Sequence, residues 1–372
     1  MKVKKQKLTS LKALLLFLLV GVIVSFYLQM MGLKVISVAM REEFIQDIIT
    51  LPDLHQKEDT SSLYQEKGRY NFTVAACVCV KDAEAYFEEW IDYHVGVINF
   101  DQVYIFDHSR DFELQRWYLN SRNDSIFSRA EVIHLKDTGE KYNEEKGDYT
   151  QHAAYSDCVE QFGKNGPRHD YIAFIDIDEF IVLEKKKYTD IHAVLEKYLV
   201  PYGGALTVNW MMIGTANKTV YSPVPVTKRF QYRDSKPLNI IKSIVKSSDY
   251  KNHVNPHAVR VTQNKEIHTT KYPGAILKVT GTGASDKDRP SNVFLLYHYR
   301  YTSLKEYIFK RCIRGNLGVG DWCKENGYSL HNNSPSHIQP SPGSVYDDTI
   351  WQLLIATFPK YRIYDQLWKD FS

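Results

Sequence analysis

Apolar residues along the first half of this chain occur in blocks whose lengths alternate between those typical of strands and of helices. Three short runs are predicted to be strands and three longer runs helices. The strands are 73–80, 102–107 and 131–135, and the helices are 83–97, 112–120 and 150–162. Alternation of this kind predicts an α/β domain with a parallel sheet.

Beyond residue 183 the strands follow one another more closely, which predicts a mixed or antiparallel, β-rich half of the same domain. Its predicted strands are 205–213, 226–232, 240–246, 258–261 and 293–297. Its predicted helices are 190–199, 303–314 and an aromatic C-terminal segment, 350–371, that would cover the core.

Residues 171–183 form an apolar run that two carboxylates, Asp176 and Asp178, interrupt. A buried parallel strand has such a continuous hydrophobic pattern, and residues two apart on a strand point to the same side. The two carboxylates would repel each other unless a cation or a donor group neutralised them. Oxygen ligands of this type suit Mg²⁺ or Mn²⁺, so the pair predicts a metal site. Glu179 would point away from it, which favours a structural role.

The N-terminus predicts a membrane anchor. Residues 13–33 contain no charged side chain and are long enough to span a bilayer as a helix, with no convincing cleavage site after them. Five lysines precede them: Lys2, Lys4, Lys5, Lys7 and Lys12. The positive-inside rule then gives a cytoplasmic tail at 1–12, a signal anchor at 13–33, a stem at 34–70 and a luminal domain at 71–372. This is a single-pass type II topology.

Composition and charge narrow the function. The chain is 44% hydrophobic and 24% charged, as expected for a globular catalytic domain. Its net charge is only +3, less than the N-terminal lysines contribute, so the domain lacks the basic surface that binds nucleic acid. Sequons at Asn71, Asn123, Asn217 and Asn332 would be usable in a secretory lumen.

Five cysteines occur in the chain, so at least one is unpaired within it. Cys77 and Cys79 are two apart on a predicted strand and are expected to pack as small apolar side chains. Cys312 and Cys323 bracket a glycine-containing loop, and an oxidising lumen would allow a disulfide between them, although spacing alone leaves this open. The chain contains no pair of C-x-x-C elements, so the sequence does not indicate a structural zinc site.

Polar residues follow several predicted strands at their carboxyl ends, where ligands bind in open α/β sheets. Lys81 follows the first strand, Asp107 ends the second, and Asp176 with Asp178 lie late in their own. A nucleotide could bridge them, with Asp107 accepting hydrogen bonds from uracil or ribose and a metal on Asp178 neutralising a diphosphate. Asp107 could equally form a helix cap or an Asx turn.

Several ordered blocks resemble glycosyltransferase family 92 and together cover about residues 73–320. They are Cys77–Asp82, Glu89–His94, Tyr104–Ser109, Asp157-Cys158, Ala173–Phe180, Lys242–Val245, His298-Tyr299, and Lys310 with Arg314 and Gly315. The resemblance implies a GT-A fold, with a Rossmann-like sheet that binds a nucleotide sugar beside a β-rich acceptor half. It also implies a Golgi membrane anchor and transfer of galactose from UDP-galactose to a glycan with inversion.

One stretch departs from the family pattern. After residues 210–215 the family usually has a Gly-His pair, whereas this chain has Ala216-Asn217-Lys218. That stretch is expected to contribute to acceptor binding, so the resemblance does not carry over the identity of the acceptor.

The resemblance also implies roles for individual residues. Asp176 and Asp178 would hold the donor diphosphate and its cation, Mn²⁺ or Mg²⁺, with His298 as a third metal ligand. A hydrogen bond within the core is the alternative for His298. Lys310 and Arg314, four residues apart on a predicted helix, could hold phosphate oxygens or form a solvated face.

An inverting transfer needs a base that deprotonates the acceptor hydroxyl. The sequence offers weak candidates and favours none: Glu179, His253, His257, Asp286, Asp288 and Asp321.

Two other functions remain open at this point. Haloacid-dehalogenase-like phosphatases also end an apolar strand in Asp-x-Asp, but there the pair follows the first strand of the domain, whereas three strands come earlier here. A noncatalytic membrane-anchored glycan-binding module is suggested by 26 Tyr and 6 Trp, which could stack on sugars but would leave the two aspartates unexplained.

Overall fold

The computed structural model describes residues 69–109, 116, 118, 120, 126–134, 151–164, 169–277, 285–310 and 341–371. The predicted anchor at 13–33, the stem up to residue 68, most of helix 112–120, Arg314, Asp321 and the Cys312–Cys323 pair lie outside these residues. Within the described residues, no helix is long and apolar enough to cross a bilayer.

The described residues form the following strands and helices. The strands are β1 Val74–Val80, β2 Gln102–Asp107, β3 Ala130–His134, β4 Tyr171–Phe174, β5 Glu179–Leu183, β6 Ala205–Met212, β7 Tyr232–Arg233, β8 Ile241–Lys246, β9 Tyr250–Asn255, β10 Ala258–Val261, β11 Ile267–His268, β12 Phe294–His298 and β13 Val345–Tyr346. The helices are α1 Phe87–Ile91, α2 Gln151–Val159, α3 Ile191–Tyr198, α4 Val226–Arg229, α5 Leu304–Ile308, α6 Thr349–Thr357 and α7 Ile363–Phe371.

The main sheet is mixed, as the two halves of the sequence predicted. Its strand order is β3-β2-β1-β4-β8-β6-β12-β5, with β11 pairing with β6. The strands from β3 to β4 are parallel, whereas β8 runs antiparallel to both β4 and β6. β12 runs parallel to β6 and antiparallel to β5. The chain therefore has an α/β half that continues into a mixed half within one sheet.

The prediction of a single strand over residues 171–183 is wrong. The chain leaves β4 after Phe174, turns through Ile177-Asp178 and starts β5 at Glu179. β5 is the edge strand of the sheet, four positions from β4 in the strand order. Unpaired carboxylates cannot be buried in a strand interior without a large desolvation cost, and the turn instead brings Asp176 beside Lys242 and Asp178 beside Lys310.

Two further predictions fail in the second half. Residues 226–232 form helix α4 and the start of β7 rather than one strand, because Pro223 and Pro225 precede the segment and the Glu89 carboxylate accepts hydrogen bonds from the first amides of the helix. Strand β9 was not predicted, since its exposed residues are polar and hide the alternation.

Cys77 does not pack as a free apolar side chain, because it forms a disulfide with Cys158. The bond joins β1 to α2 inside a hydrophobic cluster that also contains Phe174 and Tyr155. The partner lies 81 residues away, and only the packing of α2 on β1 brings the two cysteines together.

The C-terminal helices cover the core, as predicted. Phe358, at the end of α6, lies so close to Gly96 that a Cβ at that position would overlap its ring. Lys360 forms ion pairs with Glu88 (2.9 Å) and Asp92 (2.8 Å). The segment is thereby fixed to α1 and to the wider helical turn Asp92–Val97 that follows it.

Candidate functional site

The turn between β4 and β5 carries both aspartates, and helix α1 fixes it. The indole Nε1–H of Trp90 donates to the carbonyl oxygens of Asp176 (3.1 Å) and Glu179 (2.9 Å). Trp90 is fully buried. One side chain therefore holds both ends of the turn.

Asp176 is held by three protein donors. Its Oδ1 accepts hydrogen bonds from Lys242 Nζ (2.7 Å), the Tyr155 hydroxyl (2.8 Å) and Gln151 Nε2. Burial raises the pKa of Asp176, but the ammonium of Lys242 more than compensates and lowers it below the ordinary value. Asp176 is therefore an ionised carboxylate with a fixed orientation.

Glu179 belongs to the same cluster, contrary to the prediction that it points away. Its Oε2 accepts the backbone N–H of Asp176 (2.8 Å) and lies 3.8 Å from Lys242 Nζ. Alternation along a strand does not apply here because the strand is interrupted. Burial and the neighbouring Asp176 raise the pKa of this fully buried carboxyl well above its usual range, against the opposing effect of Lys242. Through its hydrogen bond from the backbone N–H of Asp176, the Glu179 side chain stabilises the turn.

Asp178 faces two cationic or basic groups instead. Its Oδ2 lies 3.4 Å from His298 Nε2 and forms an ion pair with Lys310 Nζ. The antiparallel pairing of Glu179 with His298 brings β12 alongside the turn. Burial would raise the pKa of Asp178, but Lys310 and His298 hold it well below its usual range.

Asp178 and His298 fit a divalent cation. Their facing atoms are separated by 3.4 Å, which is compatible with two neighbouring ligands bonded at about 2.1 Å to one ion. Burial lowers the pKa of His298, which keeps its imidazole in the neutral form that binds metals. Among the described residues, however, no three His, Cys, Asp or Glu side chains converge as a complete ligand set. Asp176, which was predicted to share the cation with Asp178 and His298, is the residue held by Lys242.

The predicted nucleotide-binding residues lie at one edge of the sheet. Val80, at the end of β1, pairs with Asp107 at the end of β2, and Lys81 follows directly. β4, which leads to the aspartate turn, lies on the other side of β1. Asp107 Oδ1 accepts the backbone N–H of Ser109 (2.9 Å), so the predicted Asx turn is present.

Two histidine candidates for the base lie in different surroundings. The imidazole of His257 contacts the Trp210 ring (5.0 Å between ring centroids), and His298 contacts the same ring at 4.3 Å. Burial and Lys242 lower the pKa of His257 to about 4. His253 Nδ1 is hydrogen bonded to the Tyr250 hydroxyl (2.7 Å), and its ring packs on Phe174.

The aspartate candidates differ in burial. Asp286 is buried, and its Oδ1 accepts the backbone N–H of Asp288 (2.9 Å). The exposed Asp288 forms an ion pair with Lys271 (3.1 Å).

Lys242 and Trp90 hold the aspartate turn, and both lie in sequence blocks that resemble the family, but neither was predicted to have a role in the site. Lys242 had a visible signal, because a lysine inside the apolar strand β8 needs a counter-charge as much as the aspartates do. Trp90 had no such signal, since a buried tryptophan on a helix is ordinary core.

Comparison with known proteins identifies the family. The model of glycosyltransferase family 92 matches residues 72–345, which is most of the chain. The chain belongs to glycosyltransferase family 92. The predicted resemblance is confirmed, and with it the prediction of a glycosyltransferase at the level of the family.

A curated family 92 protein from Oryza sativa subsp. japonica is 23% identical over 297 residues, which are 77% of this chain and 43% of that protein. The chain thus spans less than half the length of this relative.

Solved structures show weak likenesses. A mannosyltransferase from Pyrobaculum calidifontis in complex with GDP-mannose and Mn²⁺ is 12% identical with a TM-score of 0.28, covering 48% of this chain and 45% of that one. Glucosyl-3-phosphoglycerate synthase from Mycobacterium tuberculosis, bound to Mn²⁺ and UDP, is 14% identical with a TM-score of 0.25, covering 40% and 50%. TM-scores this low do not establish a shared fold.

Proposed function

We propose that this family 92 chain is a metal-dependent, inverting hexosyltransferase of the GT-A type that transfers galactose from UDP-galactose to a glycan. The observation that carries the proposal is the buried Asp178–His298 pair with Lys310 beside it, within the part of the chain that matches the family. Family membership favours this function over the phosphatase. The glycan-binding module would leave the paired charges without a use.

The donor would lie across the carboxyl ends of β1, β2 and β4. Asp107 is fully buried at that edge, and a carboxylate there suits the hydroxyls of a ribose or the N–H of a uracil. The diphosphate would then reach the turn with Asp178. In this arrangement the nucleoside would lie near Asp107 and the diphosphate near Asp178.

The residues at the turn suit a diphosphate leaving group. A bound Mn²⁺ or Mg²⁺ would supply Lewis-acid neutralisation of the diphosphate charge, and Asp178 and His298 are the residues that would hold it. Lys310 is paired with Asp178 and has a flexible stem that would let its ammonium bind a phosphate oxygen of the donor instead. Asp176, fixed by Lys242, would hold the turn or accept from the donor ribose.

Inversion requires a single displacement at the anomeric carbon. The acceptor oxygen forms its bond to that carbon, the bond to the diphosphate breaks and its electron pair leaves with UDP, and a base takes the acceptor proton. We favour His257 as this base, because its imidazole packs on the Trp210 ring that His298 also contacts, which places it beside the proposed metal ligand.

We further propose that the domain lies in the Golgi lumen behind a type II anchor at 13–33. The Cys77–Cys158 disulfide supports an oxidising compartment, and the sequon residues Asn71 and Asn217 are exposed. Protease protection of the domain in sealed microsomes, with glycosidase-sensitive glycans, would support the topology. Complete digestion would contradict it.

The activity is tested with the full chain purified in detergent, a panel of nucleotide sugars and Mn²⁺. UDP-galactose should be hydrolysed or transferred, and Asp178→Asn should reduce the rate at least 100-fold by removing a charge on the diphosphate side of the site. Glu196→Gln, which changes an exposed carboxylate on α3, is the control. The proposal fails if the wild-type chain neither binds nor turns over any nucleotide sugar, with or without metal.

A further inference from the structure

An exposed aromatic pair lies on the small two-stranded sheet formed by β7 and β13. Tyr232 is 43% exposed and Tyr346 is 56% exposed, and their rings meet edge to face with centroids 5.5 Å apart. Tyrosine supplies a large apolar face with a polar tip, a combination typical of binding surfaces. The site described above does not use either residue.

Backbone pairing places this pair on the same side of the sheet as His298. Met212 pairs with His298, and the next residue, Ile213, forms a bridge to Arg233. Because paired residues share a face and neighbours alternate, Tyr232 is on the face of Met212 and His298. Tyr346 pairs with Tyr232 and so lies on that face too.

The pair is also close to the donor site. β12 and β7 flank the end of β6, since Ile213 N–H donates to the carbonyl of His298 and Gly214 N–H donates to the carbonyl of Tyr232. Tyr232 lies opposite Gly214, two residues further along the chain from β6 than the Met212 that pairs with His298. Two inter-strand spacings of about 4.8 Å and this offset of about 6.6 Å put Tyr232 about 12 Å from His298. Two linked sugar rings bridge such a distance.

The opposite face of the small sheet is held by a part-buried ion pair. Asp347 Oδ2 accepts hydrogen bonds from Arg233 Nε (2.7 Å) and from the Tyr297 hydroxyl (2.7 Å) on β12. A Cβ at Gly343, which has φ +83°, would overlap the backbone of Tyr232. The aromatic pair is therefore presented by a rigid support, which reduces the entropy that binding would cost.

Polar side chains that end in carboxylate or amide groups lie beside Tyr346. The Tyr346 hydroxyl lies 3.2 Å from Asp348 Oδ2 and 3.4 Å from Gln231 Oε1, and Gln352 Nε2 donates to Asp348 Oδ2 (2.9 Å). Apolar rings bordered by carboxylate and amide groups match a pyranose, which has an apolar C–H face and hydroxyls around its edge.

We propose that Tyr232 and Tyr346 form an acceptor subsite that stacks on a pyranose ring of the glycan, with Asp348 and Gln231 binding its hydroxyls. This inference rests on the proposed function and assigns the acceptor side of the same reaction. A cross-strand tyrosine pair can also serve stability alone. The experiment must therefore separate acceptor binding from folding.

The experiment uses the full chain in detergent with Mn²⁺, UDP-galactose and p-nitrophenyl glycosides of β-galactose, β-N-acetylglucosamine, α-mannose and α-fucose. Tyr346→Ala and Tyr232→Ala should each raise the KM for the accepted glycoside about tenfold. Donor hydrolysis without acceptor and the melting temperature should stay unchanged. Tyr346→Phe keeps the ring and should keep most of the affinity.

Tyr272→Ala is the matched control, because Tyr272 is 59% exposed and lies in the loop after β11. The inference is overturned if wild type and Tyr346→Ala share one acceptor KM, or if an active wild-type chain neither binds nor glycosylates any glycoside of the panel. Absence of donor turnover in the wild type would overturn the proposed function instead. The two failures are thus distinct.

Discussion

At the scale of single residues, the aspartate turn depends on a division of charge. Lys242 neutralises the carboxylate of Asp176, whereas Lys310 and His298 contact that of Asp178. Lys242 has no exposed surface, so its ammonium depends wholly on its protein partners. Removing one partner of a buried ion pair leaves an uncompensated charge, which is the costly case.

Lys242→Met tests this division of charge. The variant leaves Asp176 without its cation, and we expect the free energy of unfolding to fall by about 3–5 kcal/mol. Urea denaturation followed by circular dichroism measures the change. Lys246→Met, at the partly exposed end of the same strand, should cost far less. Equal losses in the two variants would show that Lys242 contributes only packing.

Residue patterns predicted the chemistry of this site better than its geometry. Asp176 and Asp178 were visible because carboxylates interrupt an apolar run. Their separation into one lysine-bound and one histidine-facing group was not visible, since it depends on β8 and β12, which arrive more than 60 residues later.

At the scale of elements, short helix α4 is held by a carboxylate from another helix. Glu89 of α1 accepts hydrogen bonds from the backbone N–H groups of Val226 (2.7 Å) and Thr227 (3.0 Å) and from the Thr227 hydroxyl. The last residue of α4, Arg229, forms a bidentate ion pair with Glu306 of α5 (2.7 and 2.8 Å). Local sequence predicted a strand here because it cannot reveal a capping group 137 residues away.

Glu89 should make stability depend on pH. Burial raises the pKa of Glu89 from 4.5 to about 7, against the opposing effect of its hydrogen bonds. The folded state therefore binds more protons than the unfolded state between these values. Its contribution to stability is full below about pH 4.5 and is lost as the pH rises to about 7.

Glu89→Gln removes that titration. Between pH 5 and pH 8 the wild type should lose about 2–3 kcal/mol more of its unfolding free energy than the variant does. Denaturant titrations at the two pH values provide the measurement, with Glu160→Gln on the surface as control. Parallel pH dependence in wild type and Glu89→Gln would contradict the assignment.

At the scale of the whole molecule, the order of α/β elements was predictable and the order of strands in the sheet was not. Hydrophobic periodicity located β1, β2, β6 and β10 to within a residue or two. The insertion of β8 between β4 and β6, and the departure of β5 to the far edge, follow from long-range pairing. Such pairing leaves no trace in local periodicity.

The Cys77–Cys158 disulfide should stabilise the whole domain. It closes a loop of 81 residues, for which loop entropy gives about 4 kcal/mol. The double variant Cys77→Ala/Cys158→Ala should lose about that much in denaturant unfolding, and reductant should lower the midpoint of the wild type more than that of the double variant. Cys79→Ala serves as the control, and an unchanged midpoint in the double variant would rule out the bond.

The fit of Phe358 over Gly96 has a genetic consequence. The family match ends at residue 345, yet the last two helices are attached to the same helical segment whose Trp90 holds the turn with Asp178. A premature stop codon between residues 346 and 357 would leave every matched residue in place and still remove that support. Such an allele should behave as a loss of function.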